Sequence, residues 1–187
     1  MKARGHMSKT GFVKNLARDR RALGAVEFAM TAPFLILLYI GGYQLMDAIS
    51  AYRKVTITTR TLADLITRTP ATTPLTPSNV QTILDASRQI MMPFSVGNAT
   101  LRITAINIDE NKKATVAWSK ASDGNVNSGS NLAVPTKLKV ANTSVIFSEA
   151  TYHYTPVVGG KLVGPLVFKD QIYMNPRNAS SIPCPQC

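Results

Sequence analysis

The 19 residues from Phe28 to Met46 carry no formal charge. A helix needs about 20 mainly apolar residues to cross the hydrocarbon of a bilayer, whereas the apolar core of a secretory signal is only about 7–15 residues long. Residues 23–46 are therefore expected to form a membrane-spanning helix. One carboxylate, Glu27, stands just inside this segment. A carboxylate in hydrocarbon costs on the order of several kcal/mol, so its presence there calls for a functional reason.

Upstream lies a basic leader, residues 1–22. It holds Lys2, Arg4, Lys9, Lys14, Arg18, Arg20 and Arg21 against Asp19, which is +6 of the chain's +11. Basic residues beside a membrane segment stay on the cytoplasmic side. The expected topology is a single pass through a membrane, with the leader cytoplasmic and residues 47–187 outside the cytoplasm. The leader is either a simple cytoplasmic tail or a segment that is cut off, and Met7 is an alternative start. At 187 residues the chain has room for one modest domain besides the anchor. The remaining basic residues are scattered, without an aromatic-studded basic stripe, so no nucleic-acid partner is expected.

Pro33 falls inside the apolar run. A proline in a helix interior removes a backbone hydrogen bond and kinks or locally melts the helix. Gly41-Gly42 forms a second soft point. Beyond Met46 an apolar stripe continues through Ala48, Tyr52, Val55, Thr59, Leu62 and Ile66, at the spacing of one helix face. Arg60, Asp64 and Arg68 can support one another at i, i+4 on another face. The run Val55-Thr56-Ile57-Thr58-Thr59 is β-branched and leaves a strand open, but the stripe favours helix. The expected stem thus has an apolar half, 23–46, and an amphipathic half, 47–69. Pro70 ends it, and residues 70–79 form a Pro/Thr linker. Ser78 or Asn79 is expected to cap a short helix that buries Val80, Ile83, Leu84 and Ile90. Met91 and Met92 read as core fillers rather than ligands.

The domain spanning residues 80–187 reads as mainly β. Leu101, Ile103 and Ala105 alternate, and a change of phase to Ile106 and Ile108 suggests a bulge. Asp109 to Lys112 turns the chain into a return strand with Ala114, Val116 and Trp118. A polar loop follows at 121–131, where Asp123 alone is too little charge for a calcium loop. Strands are expected at about 144–155, stopped by Pro156, and at about 166–174, after a turn at Gly159-Gly160. The fold class is α+β: a long N-terminal helix packed on a small antiparallel sheet of about four strands in hairpin order.

Three segments resemble one known family. Arg20-Arg21-Ala22-Leu23-Gly24-Ala25-Val26-Glu27-Phe28-Ala29, followed by Ala32-Pro33-Phe34-Leu35, resembles the start of TadE-like proteins. These are minor pilins, or pseudopilins, of the tight-adherence (Tad, Flp-type) type IV pilus. Val145-Ile146-Phe147-Ser148-Glu149-Ala150-Thr151-Tyr152-His153-Tyr154-Thr155-Pro156 is similar to the family's valine-rich strand with its Tyr-x-Tyr-x-Pro ending. Phe168 to Arg177 is similar to its last strand, which closes in a basic residue. The resemblance implies cutting by a prepilin peptidase, with the glutamate as fifth residue of the mature chain. Counting back from Glu27 puts the cut between Ala22 and Leu23. The family's usual residue before the cut is glycine, and here it is alanine. A cut between Gly24 and Ala25 restores the glycine but makes Glu27 the third residue.

Cutting creates a positive α-amino group, a fitting partner for Glu27 in its own chain or a neighbour's, and such a pair would fix the register of stacked subunits. The simpler alternative is that Glu27 snorkels to the headgroups. The partners implied are the peptidase, other Tad minor pilins, the major pilin and the inner membrane. The implied role is in an assembly-priming or tip complex for pilus biogenesis and surface adherence, with the extracellular pilus as the protein's final location. The competing reading is an uncut single-pass anchor whose periplasmic domain binds another envelope protein.

No catalytic set, metal site or cofactor motif is expected. His153 sits between two tyrosines without ligand partners and reads as a surface strand residue. Cys184 and Cys187 form a C-x-x-C, but it lacks the helical context of a redox motif and the further ligands of a zinc site. In an oxidising compartment a local disulfide is favoured over two free thiols.

Overall fold

The computed structural model describes residues 20–70, 72, 74–124, 134–158, 160 and 164–187, with residues 20–22 described by backbone alone. Residues 1–19 of the leader, most of the 121–131 loop and Gly159 of the Gly159-Gly160 turn lie outside the described residues. The chain divides into two units, Met1–Met46 and Asp47–Cys187. Helix α1 spans Arg20–Thr67 and so contributes to both.

In the second unit α1 buries Ala51, Val55, Thr58, Thr59, Leu62, Ala63, Ile66 and Thr67. Steps of three and four place these residues on one face of the helix. The stripe expected from sequence is largely the buried one. Tyr52, however, is exposed and only sets its ring edge-on to Phe168, at 5.9 Å. The β-branched run is helical. The Thr59 hydroxyl donates to the Val55 carbonyl at 2.9 Å, and Val55, Thr58 and Thr59 are fully buried. Burial outweighs their modest helix propensity.

Four strands follow: β1 (Ala99–Ile108), β2 (Ala114–Ala121), β3 (Thr143–Tyr154) and β4 (Leu166–Met174). All neighbouring pairs are antiparallel, as expected. The order is β2-β1-β3-β4, which corrects the simple hairpin order. β3 pairs with β1 from Ala99↔Tyr152 to Ile108↔Thr143, and β2 is left as an edge. The reason lies in burial. β1 is covered along most of its length, including the stretch from Ile103 to Ile106, while Thr115 and Ala117 of β2 face water. A register shift against β2 between Ala105 and Ile106 is the expected bulge.

The main core lies between α1 and the sheet, where Leu62 and Ile66 meet Leu101, Ile103 and Ile146. A second, smaller cluster joins Ile106, Phe147 and Val134, with Leu138 and Tyr173 against it. Phe147 follows Ile146 of the main core, so side-chain alternation puts this cluster on the opposite face of the sheet.

Helix α2 spans Pro77–Arg88 and also packs on the main core through Val80 and Leu84. Its cap is Thr76, not Ser78 or Asn79: the Asn79 backbone N–H donates to the Thr76 hydroxyl oxygen at 3.2 Å. Pro77 takes the first helical position, where its missing N–H costs nothing, and this moves the cap one residue upstream. The linker is therefore shorter than 70–79, and Leu75 within it is buried. Ile83 and Ile90 are half-buried; Met91 is buried, but Met92 is exposed, so only one of the two methionines fills the core.

Leu62→Ala is expected to cost about 2–5 kcal/mol of stability through lost burial and a cavity. Leu65→Ala, on the exposed side of the same helix, should stay within about 0.5 kcal/mol. Denaturant titration of the detergent-solubilised chain measures both, and equal losses would show that the packed face is misassigned.

Candidate functional site

The first unit offers one feature. From Leu23 to Met46, α1 is apolar on nearly every side and little of it is covered; Phe34 is 68% and Leu37 70% exposed. A contiguous apolar surface of this size marks a membrane or partner-binding segment. By length and composition, the helix is long and apolar enough to cross a membrane. It remains helical through Pro33 and Gly41-Gly42, so the local melting expected there does not occur. Thr31, two residues before Pro33, donates its hydroxyl to the Glu27 carbonyl at 3.0 Å. That hydroxyl is thus satisfied inside the helix, as a low-dielectric setting requires.

The candidate site residues fall in order along the first turns. Ala22, Leu23, Gly24 and Ala25 all lie within α1, upstream of Glu27. Glu27 is exposed. Its neighbours one turn away, Leu23 and Thr31, are uncharged, and among the described residues it makes no ion pair. The added Cβ of an alanine at Gly24, Gly41 or Gly42 would meet nothing within 4 Å. Nothing packed against these glycines within the described chain explains their presence in a helix.

In the second unit, two sets of polar contacts fix the ends of the packed helix. At Asp47, the first residue after the uncharged run, the Tyr154 hydroxyl donates to the carboxylate at 2.6 Å. Tyr154 stacks on Phe168 at 5.6 Å, and Phe94 meets Tyr152 edge-on at 6.4 Å. At the other end, the Arg177 backbone N–H donates to the Thr67 carbonyl and the Asn178 side-chain amide to the Arg68 carbonyl, both at 3.0 Å. These are carbonyls a helix end leaves open. Asp64 pairs with Arg68 at 2.6 Å and with Arg177 at 2.7 Å. Arg177 thus takes the place expected for Arg60.

The C-terminal strap then crosses to the edge strand. The buried Trp118 indole N–H donates to the Ile182 carbonyl at 2.8 Å, and the Leu75 N–H donates to Pro183 at 3.0 Å. Cys184 and Cys187 are bonded to each other and pack on the main core. His153 is exposed on β3, opposite Val167 of β4. Among the described residues, no group of three or more His, Cys, Asp or Glu side chains could hold a metal.

No family model matches the chain, and no curated protein or solved structure matches it either. Sequence reasoning missed Asp47–Tyr154, Arg177, Asn178 and the acceptor of Trp118. Only the last left a signal, because a buried indole N–H needs a partner.

Burial pushes the Tyr152 phenol above its ordinary value near 10; a hydrogen bond with the Ser95 backbone pulls it back, Asp47 raises it again, and the Asn98 side chain opposes that. Burial, then Glu149, likewise raises Tyr173. The unfolded phenols lose their protons first, so this stabilisation is complete below about pH 10 and is lost as pH rises through the folded values. The denaturation midpoint should fall above about pH 10, and Tyr152→Phe should weaken that alkaline slope. Trp118→Phe should cost about 1–3 kcal/mol, because it leaves the Ile182 carbonyl buried without its donor. A midpoint indistinguishable from the parent's would show that this bond does not secure the strap.

Proposed function

We propose that this chain is a TadE-like minor pilin of a Tad-type type IV pilus. In this reading a prepilin peptidase cuts the leader between Ala22 and Leu23. The apolar half of α1 then holds the protein in the inner membrane, with residues from 47 onward in the periplasm. From there the subunit joins other minor pilins and the major pilin in an assembly-priming or tip complex serving adherence. The role is structural, and no residue is assigned to catalysis.

One observation carries the reading: a bare apolar helix bears a single carboxylate, Glu27, one turn beyond Leu23, and the same helix continues into the amphipathic stretch packed on the sheet. A cut before Leu23 puts a cationic amine about 6 Å along the helix axis from Glu27, at 1.5 Å per residue. That amine sits unfavourably at the positive end of the helix dipole, while Glu27 sits favourably near it. An amine and a carboxylate that both lie in hydrocarbon gain most by pairing. Pairing between neighbouring subunits would fix their axial register. The unpacked Gly41 and Gly42 fit the same picture, because small residues let membrane helices approach closely.

A second reading, an uncut anchor whose periplasmic domain binds another envelope protein, is favoured by Ala22, which stands where the family has glycine. Glu27→Gln separates the two readings. The pilin reading expects the variant to insert and to be processed normally, but to be lost from assembled pili, as read by co-purification with the pilus fraction. Incorporation at the parent's level would overturn the register role.

A further inference from the structure

We infer that one end of the folded domain rests in the lipid interface, with Met92, Val157, Val158 and Val167 in contact with the membrane. The inference deepens the proposed role and rests on the apolar run being membrane-spanning. Scattered exposed apolar residues are ordinary on protein surfaces; a cluster is not. Among the described residues outside α1, the exposed large apolar side chains are Met92, Val140, Val157, Val158 and Val167.

Four of these five lie at one end of the sheet. That end is where Ala99 opens β1, Tyr154 closes β3 and Leu166 opens β4. Val157 and Val158 follow the end of β3, and Val167 is the second residue of β4. Met92 precedes Phe94, whose ring packs on Tyr152. Val140 lies at the opposite end, just before Thr143 opens β3. Val157 is 80% exposed and Met92 60%, so neither is held by the domain's own core.

Asp47 marks which end this is. Its carboxylate is bonded to Tyr154 at this end of the sheet, and the next residue upstream, Met46, closes the uncharged run. The chain therefore leaves this end of the domain directly into a segment about as long as the hydrocarbon core is thick. The exposed Tyr52 ring lies against Phe168 at the same end, and tyrosine favours the headgroup level. The Tyr154 hydroxyl partly satisfies Asp47, which lowers the cost of thinning the water around that charge.

The test uses the full chain reconstituted in phosphatidylcholine vesicles, with and without bromine on the upper acyl chains. Three variants each add one tryptophan while retaining Trp118: Val157→Trp, Val140→Trp and Leu38→Trp. The added emission of Val157→Trp should be largely lost in brominated vesicles, and that of Val140→Trp should be unchanged. Leu38→Trp reports on the span itself. If Leu38→Trp is quenched while Val157→Trp behaves like Val140→Trp, the domain end stands clear of lipid and this inference fails while the membrane reading survives. If neither Leu38→Trp nor Val157→Trp is quenched, both fail.

Discussion

The burial of one face of α1 on the inner face of the sheet is the contact on which the folded domain depends. β1 and β3 turn Leu101, Ile103 and Ile146 toward that helix, and without Val55, Leu62 and Ile66 much of their cover is gone. Each such side chain contributes about 1.5–3 kcal/mol by its removal from water, so no single polar contact in the domain rivals the sum. The polar contacts do something different: they fix where along the sheet the helix sits. Tyr154 holds Asp47 at one end, the Ser148 hydroxyl donates to the buried Thr59 carbonyl at 3.1 Å near the middle, and Arg177 with Asn178 closes the other end. A slide of one turn would break all three.

Much of this was legible in the sequence, because periodic burial leaves a periodic pattern. The stripe from Val55 to Ile66 gave the packed face, alternation gave β4 its bounds, and the phase change at Ile106 gave the bulge. Strand order was not legible. Nothing local distinguishes β3 adding beside β2 from β3 adding beside β1; only the extent of burial along β1 decides it. The cap at Thr76 was missed because Pro77 was read as part of the linker rather than as a first helical residue. The C-terminal strap is short and proline-containing, with no periodicity, so its contacts with Thr67, Trp118 and Leu75 became visible only in three dimensions.

The candidate site was legible in one respect and opaque in another. A lone carboxylate inside a run of uncharged residues stands out on inspection, as does the bare helix that presents it. Its partner does not, because the residues one turn away on α1 carry no charge. The cationic group proposed for it would arise by cutting the chain or by the approach of a second subunit. This links the two halves of the functional reading. The apolar run needs a membrane or partners to cover it, and Glu27 within the run needs a cation that the residues one turn away do not supply.

The most direct measurement is the N-terminal residue of the protein isolated from the membrane of cells that also make a prepilin peptidase, read by terminal sequencing and intact mass. A mature chain beginning at Leu23, with its amine one helical turn from Glu27, is the result this account predicts. A chain that still begins at Met1 or Met7 would contradict it.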